Sequence, residues 1–542
     1  MIRTALASVL VAAAPAVAAQ QVLNELAVPP APTVTARFGT AVAGIGDVNG
    51  DDRGDLVVGA PRAGLSPALD GRVMVYSGAD GALLHTLSVP GTTQFGVVVD
   101  AVPDADGDGV PDVLVGAPTT DGPEGTLQAG TAYVFSGSDG SLLHALSSPD
   151  EQYQAQFGTA VAGLPDVDGD GRGDLAVGAY EGDGGVVFSG RAYVFSGATG
   201  ALVHTLVSPN RQIRGNFGLA LAGVPDLDGD GRGEILVGAH GEDDVYDGAG
   251  VAYVFNGATG AALGVLHTTA PSENSNFGAA VAAVPDVDGD GYADLLVGAR
   301  YEDDDYPLAA IGRAYVFSGK DRALLRQLVP PSPQRDGFFG SAVAGLDDID
   351  GDGHGDVLIG AHTTFPEGAP YRAGRAYVFS GASGDLLATL ASPNEQTAGL
   401  FGTAVAGVPD ADGDGLMDLL LGASVEDRGG LSDGGNAYVF SGALAPTSAS
   451  PRGPGGALAL RPASPNPFTG STFFRFDLPE AGAVRLAVYD ALGRCVAVLA
   501  DGSRAAGAHA VPFEAGPLPA GAYVVRLEAA GRVATQWVSL VR

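Results

Sequence analysis

The sequence predicts an all-β protein, a seven-bladed β-propeller followed by a small Ig-like β-sandwich. A pattern of about sixty residues occurs seven times between residues 38 and 440, and each copy contains short apolar runs separated by Gly-rich turns. Four strands per repeat of this length are typical of a propeller blade. The sandwich is predicted from alternating apolar residues near the C-terminus, such as Val484, Leu486 and Val488.

The third repeat illustrates the plan of every blade. Its predicted strands are 157–162, 175–179, 191–196 and 202–206. In the third of these strands, Tyr193 and Phe195 face one side of the sheet, and Ala192 and Val194 face the other. Gly-Ala-Thr-Gly at 197–200 makes a hairpin turn between the last two strands.

The last repeat has a predicted third strand at 436–441 but no apolar run after it. The missing strand is found near the N-terminus, where residues 22–29 (VLNELAVP) parallel residues 83–90 (LLHTLSVP). We predict that this N-terminal segment completes the seventh blade and closes the ring. Closure leaves no long strand edge open to aggregation.

An acidic loop, D-x-[DN]-x-D-x-x-x-[DE], joins the first and second strands of each repeat. Positions one, three and five direct oxygen ligands into one tight loop, and position nine returns to an acid. Position seven offers its backbone carbonyl, so its side chain is predicted to be free. Several hard oxygen ligands at this spacing favour Ca²⁺ over Mg²⁺ or Zn²⁺, with up to seven ions per chain.

The predicted metal ligands fall at five positions of each loop. Position one holds Asp47, Asp104, Asp166, Asp226, Asp286, Asp348 and Asp410. Position three holds Asn49, Asp106, Asp168, Asp228, Asp288, Asp350 and Asp412. Position five holds Asp51, Asp108, Asp170, Asp230, Asp290, Asp352 and Asp414. Position seven holds Arg53, Val110, Arg172, Arg232, Tyr292, His354 and Leu416. Position nine holds Asp55, Asp112, Asp174, Glu234, Asp294, Asp356 and Asp418.

Two other interpretations of these loops are an EF-hand and Asx-rich turns without a metal. An EF-hand needs a Glu at position twelve and flanking helices, whereas position twelve is apolar in every copy. Asx-rich turns without a metal are the remaining alternative. Such turns do not require four acids close together, and carboxylates left without a cation would repel one another.

Four features of each copy resemble the FG-GAP repeat, the blade of the integrin α-subunit propeller: the Phe-Gly pair, the D-x-D-x-D-G-x-x-D loop, the V-G-A ending and the A-Y-V-F strand. The resemblance covers roughly residues 20–445 and implies a seven-bladed ring with calcium loops on one face. Integrin α-chains usually fill only some of these loops. Here all seven carry the ligand pattern, although Asn49 replaces an acid in the first.

Composition narrows the class of protein. The net charge is −35, which argues against nucleic acid as a partner because such binding needs basic patches. The seven loops hold close to half of the 63 acidic residues. Cys495 is the only cysteine, so no intramolecular disulfide can form, and we predict that it is a small core residue. Metal is then the obvious candidate for stabilising an exported chain.

The chain divides into four predicted segments. Residues 1–19 are typical of a secretory signal, with Arg3, a short apolar stretch and small residues at a cleavage site. The propeller follows at 20–445, and a Pro/Gly/Ser linker occupies 446–460. A C-terminal β-sandwich occupies 461–542. No segment is expected to cross a membrane.

The C-terminal motifs are N-P-F at 466–468, V-Y-D-A-L-G-R at 488–494, G-x-H at 507–509 and L-P-A-G-x-Y at 518–523. In this order they resemble the C-terminal sorting domain of the type IX secretion system. The resemblance implies that the type IX secretion machinery is a partner and that the protein is secreted or held at the cell surface. A plain accessory sandwich is the alternative.

No catalytic motif of the G-x-S-x-G, H-E-x-x-H or P-loop type occurs. His85, His144 and His204 recur at one place in the repeat, which indicates a structural role. The loops after the second strands vary among blades and carry Tyr246, Arg300, Tyr301, Tyr306, Phe365 and Tyr371. Variable loops on a rigid scaffold usually carry recognition, although ordinary solvated loops are the alternative.

These features favour a monomeric, calcium-binding adhesion or ligand-binding module whose ligand is an extracellular protein or glycan. No catalytic residue and no cofactor other than Ca²⁺ is predicted. Two other functions were kept open. One is a secreted enzyme acting on polysaccharide or another polymer, and the other is a structural component of a surface layer.

Overall fold

The computed structural model of the protein describes residues 21–26, 35–63, 70–181, 187–243, 246–268, 272–303, 310–366, 368–428, 432–443, 459–460, 471–478, 482–489, 494–504, 507–516, 518–529 and 532–541. Two compact units are separated between Ala445 and Pro446. Within the described residues, no helix is long and apolar enough to cross a membrane. The predicted signal segment 1–19 and residues 446–458 of the predicted linker lie outside the described residues.

The first unit contains seven antiparallel four-stranded sheets, here numbered sheets 1 to 7. The first strand of the chain, β1 (Val22–Leu26), belongs to sheet 7. Sheet 1 comprises β2 (Val42–Ile45), β3 (Asp55–Ala60), β4 (Arg72–Tyr76) and β5 (Leu83–Leu87). Sheet 2 comprises β6 (Val98–Val102), β7 (Asp112–Ala117), β8 (Thr131–Phe135) and β9 (Leu142–Leu146). Sheet 3 comprises β10 (Ala160–Leu164), β11 (Asp174–Ala179), β12 (Arg191–Phe195) and β13 (Leu202–Leu206).

The remaining sheets repeat this order. Sheet 4 comprises β14 (Phe217–Val224), β15 (Glu234–Ala239), β16 (Val251–Asn256) and β17 (Ala262–Leu266). Sheet 5 comprises β18 (Phe277–Val284), β19 (Asp294–Ala299), β20 (Arg313–Phe317) and β21 (Leu324–Leu328). Sheet 6 comprises β22 (Ala342–Leu346), β23 (Asp356–Ala361), β24 (Arg375–Ser380) and β25 (Leu386–Leu390). Sheet 7 comprises β26 (Phe401–Val408), β27 (Asp418–Ala423), β28 (Asn436–Phe440) and β1.

The Phe-Gly pair explains one boundary that the sequence misplaces. The first strand of the third repeat was predicted to begin at Phe157, but β10 begins at Ala160. Phe157 is fully buried and forms an isolated bridge with Gly130, outside the strand. Gly158 has φ = 87°, and a Cβ there would lie 2.4 Å from the Thr131 carbonyl oxygen. Only glycine fits this close approach, so the pair acts as an anchor before the strand begins.

The hydrophobic core is divided among the gaps between successive sheets. Tyr193 and Phe195 pack against sheet 2, while Ala192 and Val194 pack against sheet 4, as predicted from the alternation in β12. Six clusters of this kind join sheets 1 to 7 in order. A further cluster, which includes Leu56 and Val439, joins sheet 7 to sheet 1. This arrangement of four-stranded sheets is that of a β-propeller.

The predicted pairing of the N-terminal segment with the last repeat is confirmed. Strand β1 pairs with β28, with Leu26 opposite Ala437 and a register shift between Val22 and Asn24. The pair β4–β5 has the same register and the same irregularity, with Leu87 opposite Val73. Leu26 is buried like Leu87, so β1 supplies the fourth strand that the last repeat lacks.

The repeated histidines of the fourth strands link neighbouring sheets. The ring nitrogen Nε2 of His144 lies 2.8 Å from the Gly197 carbonyl oxygen, and Nε2 of His204 lies 2.9 Å from that of Gly257. In β1 the corresponding residue is Asn24, whose amide donates to the Gly78 carbonyl oxygen at 3.1 Å. His144, His204 and Asn24 thus hold their own strands against the hairpin turn of the next sheet.

The second unit consists of two antiparallel sheets. One contains β29 (Ala459–Leu460), β30 (Ser471–Leu478) and β33 (Gly507–Glu514). The other contains β31 (Gly482–Tyr489), β32 (Cys495–Arg504), β34 (Gly521–Ala529) and β35 (Arg532–Leu540). Residues of both sheets, including Phe474 and Leu486, share one core. The prediction that Cys495 is a core residue is wrong, because this residue begins an outer strand and its side chain is exposed.

Candidate metal centre

The acidic loops lie at one end of the sheets of the first unit, each between a first and a second strand. In the third loop, the position-one carboxylate organises the turn. Asp166 Oδ1 accepts a hydrogen bond from the Gly169 N–H at 2.5 Å, and its Oδ2 accepts one from the Gly171 N–H at 3.0 Å. Gly169 and Gly171 have φ of 97° and 85°, which glycine adopts without strain.

Positions three and five continue this pattern with one oxygen each. Asp168 Oδ1 accepts from the Asp170 N–H at 3.1 Å, and Asp170 Oδ1 accepts from the Arg172 N–H at 2.9 Å. Their second carboxylate oxygens take no part in these bonds. The loop therefore holds several carboxylates in fixed positions through its own backbone.

The carboxylates converge in loops two to six. In each of these loops at least three ligand atoms from different acids lie within 4.8 Å of one another. Oxygen ligands of one cation are separated by distances of this order, because Ca²⁺–oxygen distances are about 2.3–2.6 Å. The donor set of these loops thus fits Ca²⁺, and carboxylates at positions one, three, five and nine would hold it. The backbone carbonyl at position seven remains a predicted ligand.

The fourth loop gathers the most carboxylates. Asp226, Asp228, Asp230 and Glu234 all lie within the 4.8 Å limit. This loop has Glu at position nine, and the longer side chain leaves Glu234 Oε1 buried without a hydrogen-bond partner. Asn256 Nδ2 also donates to Asp228 and Asp230, at 2.8 and 2.7 Å. A buried carboxylate oxygen without a donor is suited to a cation.

Position nine differs from the other ligand positions because its acid is fully buried. Asp174 Oδ2 accepts from the Val167 N–H at 2.8 Å, and Oδ1 accepts from the Gly197 N–H at 2.9 Å. Desolvation raises the pKa of Asp174 to about 6, against the opposing effect of these two hydrogen bonds. The residue therefore also has a structural role that the sequence pattern did not reveal, joining the loop to the hairpin turn of its own sheet.

Position one has the opposite electrostatic character. Desolvation would raise the pKa of Asp226, but hydrogen bonds from the N–H groups of Gly231 and Gly229 outweigh it and lower the pKa. Asp286 is affected in the same way by Gly291 and Gly289. These carboxylates are ionised at neutral pH and ready to bind a cation.

Side chains at position seven are not all free, contrary to prediction. Arg232 Nη1 lies 2.7 Å from Asp166 Oδ2 of the preceding loop, and Arg53 Nη1 lies 3.3 Å from Asp410 Oδ2. Arg172 reaches Asp104 at 4.0 Å. An arginine of one sheet thus contacts the position-one acid of the previous sheet. Sequence reasoning missed this contact because the paired residues are more than sixty positions apart.

The variable loops lie at the other end of these sheets. Tyr301 packs edge-on against Phe338 with ring centroids 5.3 Å apart, and Phe365 packs against Tyr371 at 5.0 Å. Tyr246 is about half exposed. Tyr306 lies outside the described residues. Some of the predicted recognition residues therefore take part in aromatic contacts. The contact between Tyr301 and Phe338 links sheet 5 to sheet 6.

Buried glutamates near this end were not singled out by the sequence. Glu181, Glu242, Glu302 and Glu426 each follow a second strand and are at most 1% exposed. Each accepts a hydrogen bond from a tyrosine of the third strand; the donors are Tyr193, Tyr253, Tyr315 and Tyr438. The sequence did offer a signal for these residues. In four repeats a Glu follows Gly-Ala after one or two residues, and the same repeat has the Tyr of A-Y-V-F.

Glu242 gives this cluster a testable pH dependence. Desolvation raises its pKa to about 7 from its usual value of 4.5. The folded state therefore binds the proton more tightly, so the stabilisation is complete below about pH 4.5 and is lost as pH rises to about 7. Glu242→Gln keeps an acceptor for Tyr253 but carries no charge. The free energy of unfolding of the parent should fall by about 3 kcal/mol between pH 5 and 8. We expect Glu242→Gln not to show this fall.

Denaturant unfolding of both proteins at the two pH values measures this difference. Glu124→Gln, at an exposed loop position, serves as the control and should follow the parent. If Glu242→Gln loses as much stability as the parent between pH 5 and 8, the burial of a protonated carboxyl is not the cause.

Comparison with known proteins agrees with this geometry. The FG-GAP repeat family matches six segments, which are 38–76, 157–195, 217–255, 277–317, 339–379 and 401–440. Residues 95–135 are not among them, although β6–β9 form the same kind of sheet. Their first strand carries Asp100 at a position where the other six repeats have alanine.

The curated relatives are integrin α-subunits. Integrin alpha-5 of Xenopus laevis is 33% identical over 223 residues, which cover 38% of this chain and 20% of that protein. Integrin alpha-PS2 of Drosophila melanogaster is 32% identical over 227 residues, or 37% and 15% of the two chains. Human integrin alpha-IIb is 40% identical over 159 residues, or 28% and 15%. The chain thus spans about a fifth or less of the length of these relatives.

A solved structure of PorZ, described as an essential bacterial surface component of the type-IX secretion system of Porphyromonas gingivalis, aligns over 90% of this chain and 58% of that chain. The TM-score is 0.38 and the identity is 12%, values too low to support any argument about fold or function. The repeats and the integrin relatives are more informative. Six segments of the chain match the FG-GAP repeat, and parts of it are similar to integrin α-subunits, which supports a β-propeller fold.

Proposed function

We propose that this protein is an exported, calcium-stabilised, seven-bladed propeller that serves as an adhesion or ligand-binding module. One observation carries the proposal: the loops at the two ends of the sheets differ in how much their sequences vary. Acidic loops that follow one pattern occupy one end, and loops of differing sequence with exposed aromatic residues occupy the other, such as Tyr246 and Tyr371. Recognition proteins typically have loops of variable sequence on a rigid scaffold whose other parts follow one pattern.

The seven sheets are the seven blades of this proposed ring. The cluster between sheets 7 and 1 and the pairing of β1 with β28 support closure. Calcium ions, up to seven, would occupy the acidic loops and hold the first and second strands of each blade together. A rigid ring favours binding because little conformational entropy is lost when a ligand contacts it.

Binding of the mature protein to cells and to a glycan array tests the proposed function. We expect retention on a defined subset of cells or glycans in calcium, and loss of retention in EGTA as the loops lose their ions. Release of new reducing ends from a bound polysaccharide would instead favour an enzyme. Absence of retention on every surface, with the protein folded and calcium-loaded, would leave a structural role as the better explanation.

We further propose that residues 461–542 direct export through the type IX secretion machinery. The support is the order of the four C-terminal motifs, together with a two-sheet unit that has a core of its own. A chain that ends at residue 445, expressed beside the full chain in a host with this machinery, should remain in the periplasm. Its appearance in the medium at the level of the full chain would contradict the sorting role.

A further inference from the structure

The residue that follows Gly-Ala of each second strand occupies an equivalent place in all seven sheets. These residues are Pro61, Pro118, Tyr180, His240, Arg300, His362 and Ser424. Each second strand begins at an acidic loop, so these residues lie at the end of the sheet opposite the proposed calcium sites. Sheets 3 to 6 thus contribute four consecutive side chains with polar groups to this end.

Several of these side chains have direct contacts with residues beside them. The Arg300 guanidinium lies over the Tyr301 ring, 5.1 Å from its centroid, and Tyr301 packs edge-on against Phe338. The Phe338 ring lies 5.5 Å from His362, and His240 Nε2 lies 3.3 Å from the Asn216 amide. We call this group the Arg300 cluster; it consists of Tyr180, Asn216, His240, Arg300, Tyr301, Phe338 and His362.

The positive charge of Arg300 affects the pKa of a residue in each of three other sheets. Burial, and then the positive charge of Arg300, lower the pKa of His240 and of His362 to about 4. The same charge acts on Tyr180, whose pKa is nevertheless raised by burial. Tyr180 and Arg300 belong to sheets 3 and 5, which are not adjacent. The positive charge of Arg300 therefore affects a residue beyond the adjacent sheets.

Arg300 is half-buried and has no carboxylate partner among the described residues. The buried arginines of the same end behave differently. Arg191 pairs with Asp150 at 3.0 Å, Arg313 with Glu302 at 3.3 Å and Arg375 with Glu395 at 2.7 Å. Burying a charge without a counter-charge is costly, and in a chain of net charge −35 acids are not scarce. The Arg300 guanidinium is thus available to an anionic group from outside.

We propose that the Arg300 cluster binds the carboxylate of an acidic sugar, so that the ligand of the propeller is a glycan containing uronic acid. This inference rests on the proposed ligand-binding function. The planar guanidinium can hold a carboxylate with two parallel hydrogen bonds. At His240, Nδ1 is buried without a hydrogen-bond partner, whereas Nε2 lies against the Asn216 amide. At His362, Nδ1 lies 2.8 Å from Ser341 Oγ, which leaves Nε2 for a hydroxyl group of the sugar. Tyr301 and Tyr371, which are 37% and 53% exposed, offer ring faces for the apolar side of a sugar.

An acidic peptide presents the same carboxylate chemistry, but neutral polar groups and aromatic rings surround the Arg300 guanidinium. A run of acidic side chains would favour several cations close together. Arg372, the other cation that acts on His362, lies over the Tyr371 ring at 5.3 Å. Both arginines thus lie against aromatic rings, an arrangement that suits a sugar better than a polyacidic chain.

The test uses the calcium-loaded mature protein on an array that pairs each uronate-bearing oligosaccharide with its neutral counterpart. The parent should bind uronate-bearing members, and the neutral counterparts should bind on the order of tenfold or more weakly. Arg300→Gln should reduce affinity roughly ten- to a hundredfold, and Arg300→Lys should restore part of it. Arg335→Gln removes the same charge from an exposed residue paired with Asp336 and should bind like the parent.

Thermal melting of each variant separates loss of binding from loss of folding. Three outcomes would overturn the inference. They are equal binding by Arg300→Gln and the parent, a parent that binds only neutral glycans or none, and a poly-glutamate peptide that binds more tightly than every uronate glycan. Retention of neutral glycans or of cells would leave the proposed function standing, whereas the absence of all binding would remove both.

Discussion

Removal of calcium with EGTA is expected to lower the melting temperature of the mature protein by roughly 10 °C or more. Each ion bound only to the folded state adds about 3 kcal/mol when its concentration is a hundredfold above the Kd. Without ions, carboxylates that lie within 4.8 Å of one another in loops two to six repel. Several such loops act together, so the total loss of stability should amount to several kcal/mol.

Calorimetry in Ca²⁺, in Mg²⁺ and in EGTA measures this effect. Mg²⁺ should restore less stability, because it demands a smaller and more regular ligand shell than these loops provide. Asp226→Asn should remove part of the calcium-dependent increase, since it weakens the loop with four converging carboxylates. Asp139→Asn, in an exposed hairpin turn, should leave that increase unchanged. Identical melting in EGTA and in Ca²⁺ would show that these loops are turns that do not need a metal.

Deletion of residues 20–30 should lower the melting temperature by roughly 5–10 °C. The deletion removes β1, its antiparallel pairing with β28 and the burial of Leu26. It also removes the Leu26 carbonyl oxygen, which accepts a hydrogen bond from Arg428 Nη1 at 2.7 Å. Burial of one leucine contributes about 1.5–3 kcal/mol and each hydrogen bond about 1 kcal/mol, so a total loss of about 5 kcal/mol is expected.

A second consequence concerns the exposed edge of β28. Without β1, this strand presents unpaired N–H and C=O groups, so the truncated protein should associate at high concentration, as light scattering would reveal. Leu26→Ala should lower stability by about 2–5 kcal/mol without removing the strand. A chain that begins at Gln21 serves as the control. A truncated protein that melts with the parent would show that β1 does not close the ring.

Much of the propeller could be predicted from local patterns. The alternation in Arg191–Phe195 correctly assigned Tyr193 and Val194 to opposite faces, because side chains alternate along a strand whatever surrounds it. The likeness of 22–29 to 83–90 correctly predicted that the N-terminal segment completes the last sheet, and the structure adds that β1 has the same register as β5. The first prediction depends only on alternation within a strand, and the second on the comparison of one repeat with another.

The errors have a common origin. Arg232 was expected to be free, yet it contacts Asp166, and Cys495 was expected in a core, yet it is exposed. The raised pKa of Asp174 was not foreseen, because the burial that causes it is supplied by neighbouring strands. In each case the outcome depends on which residues of other strands lie nearby, and the local sequence pattern does not show these residues.

The amino-acid sequence by itself determined the number of repeats, the strand order within them, the acidic loops and the N-terminal strand that completes the last sheet. These features follow from spacing and alternation, which act over a few residues. Only the tertiary structure decided which arginine meets which acid, which glutamates are buried away from water, and that Arg300 has no carboxylate partner among the described residues. Those properties depend on distances between side chains of different sheets, and the packing of the sheets sets these distances.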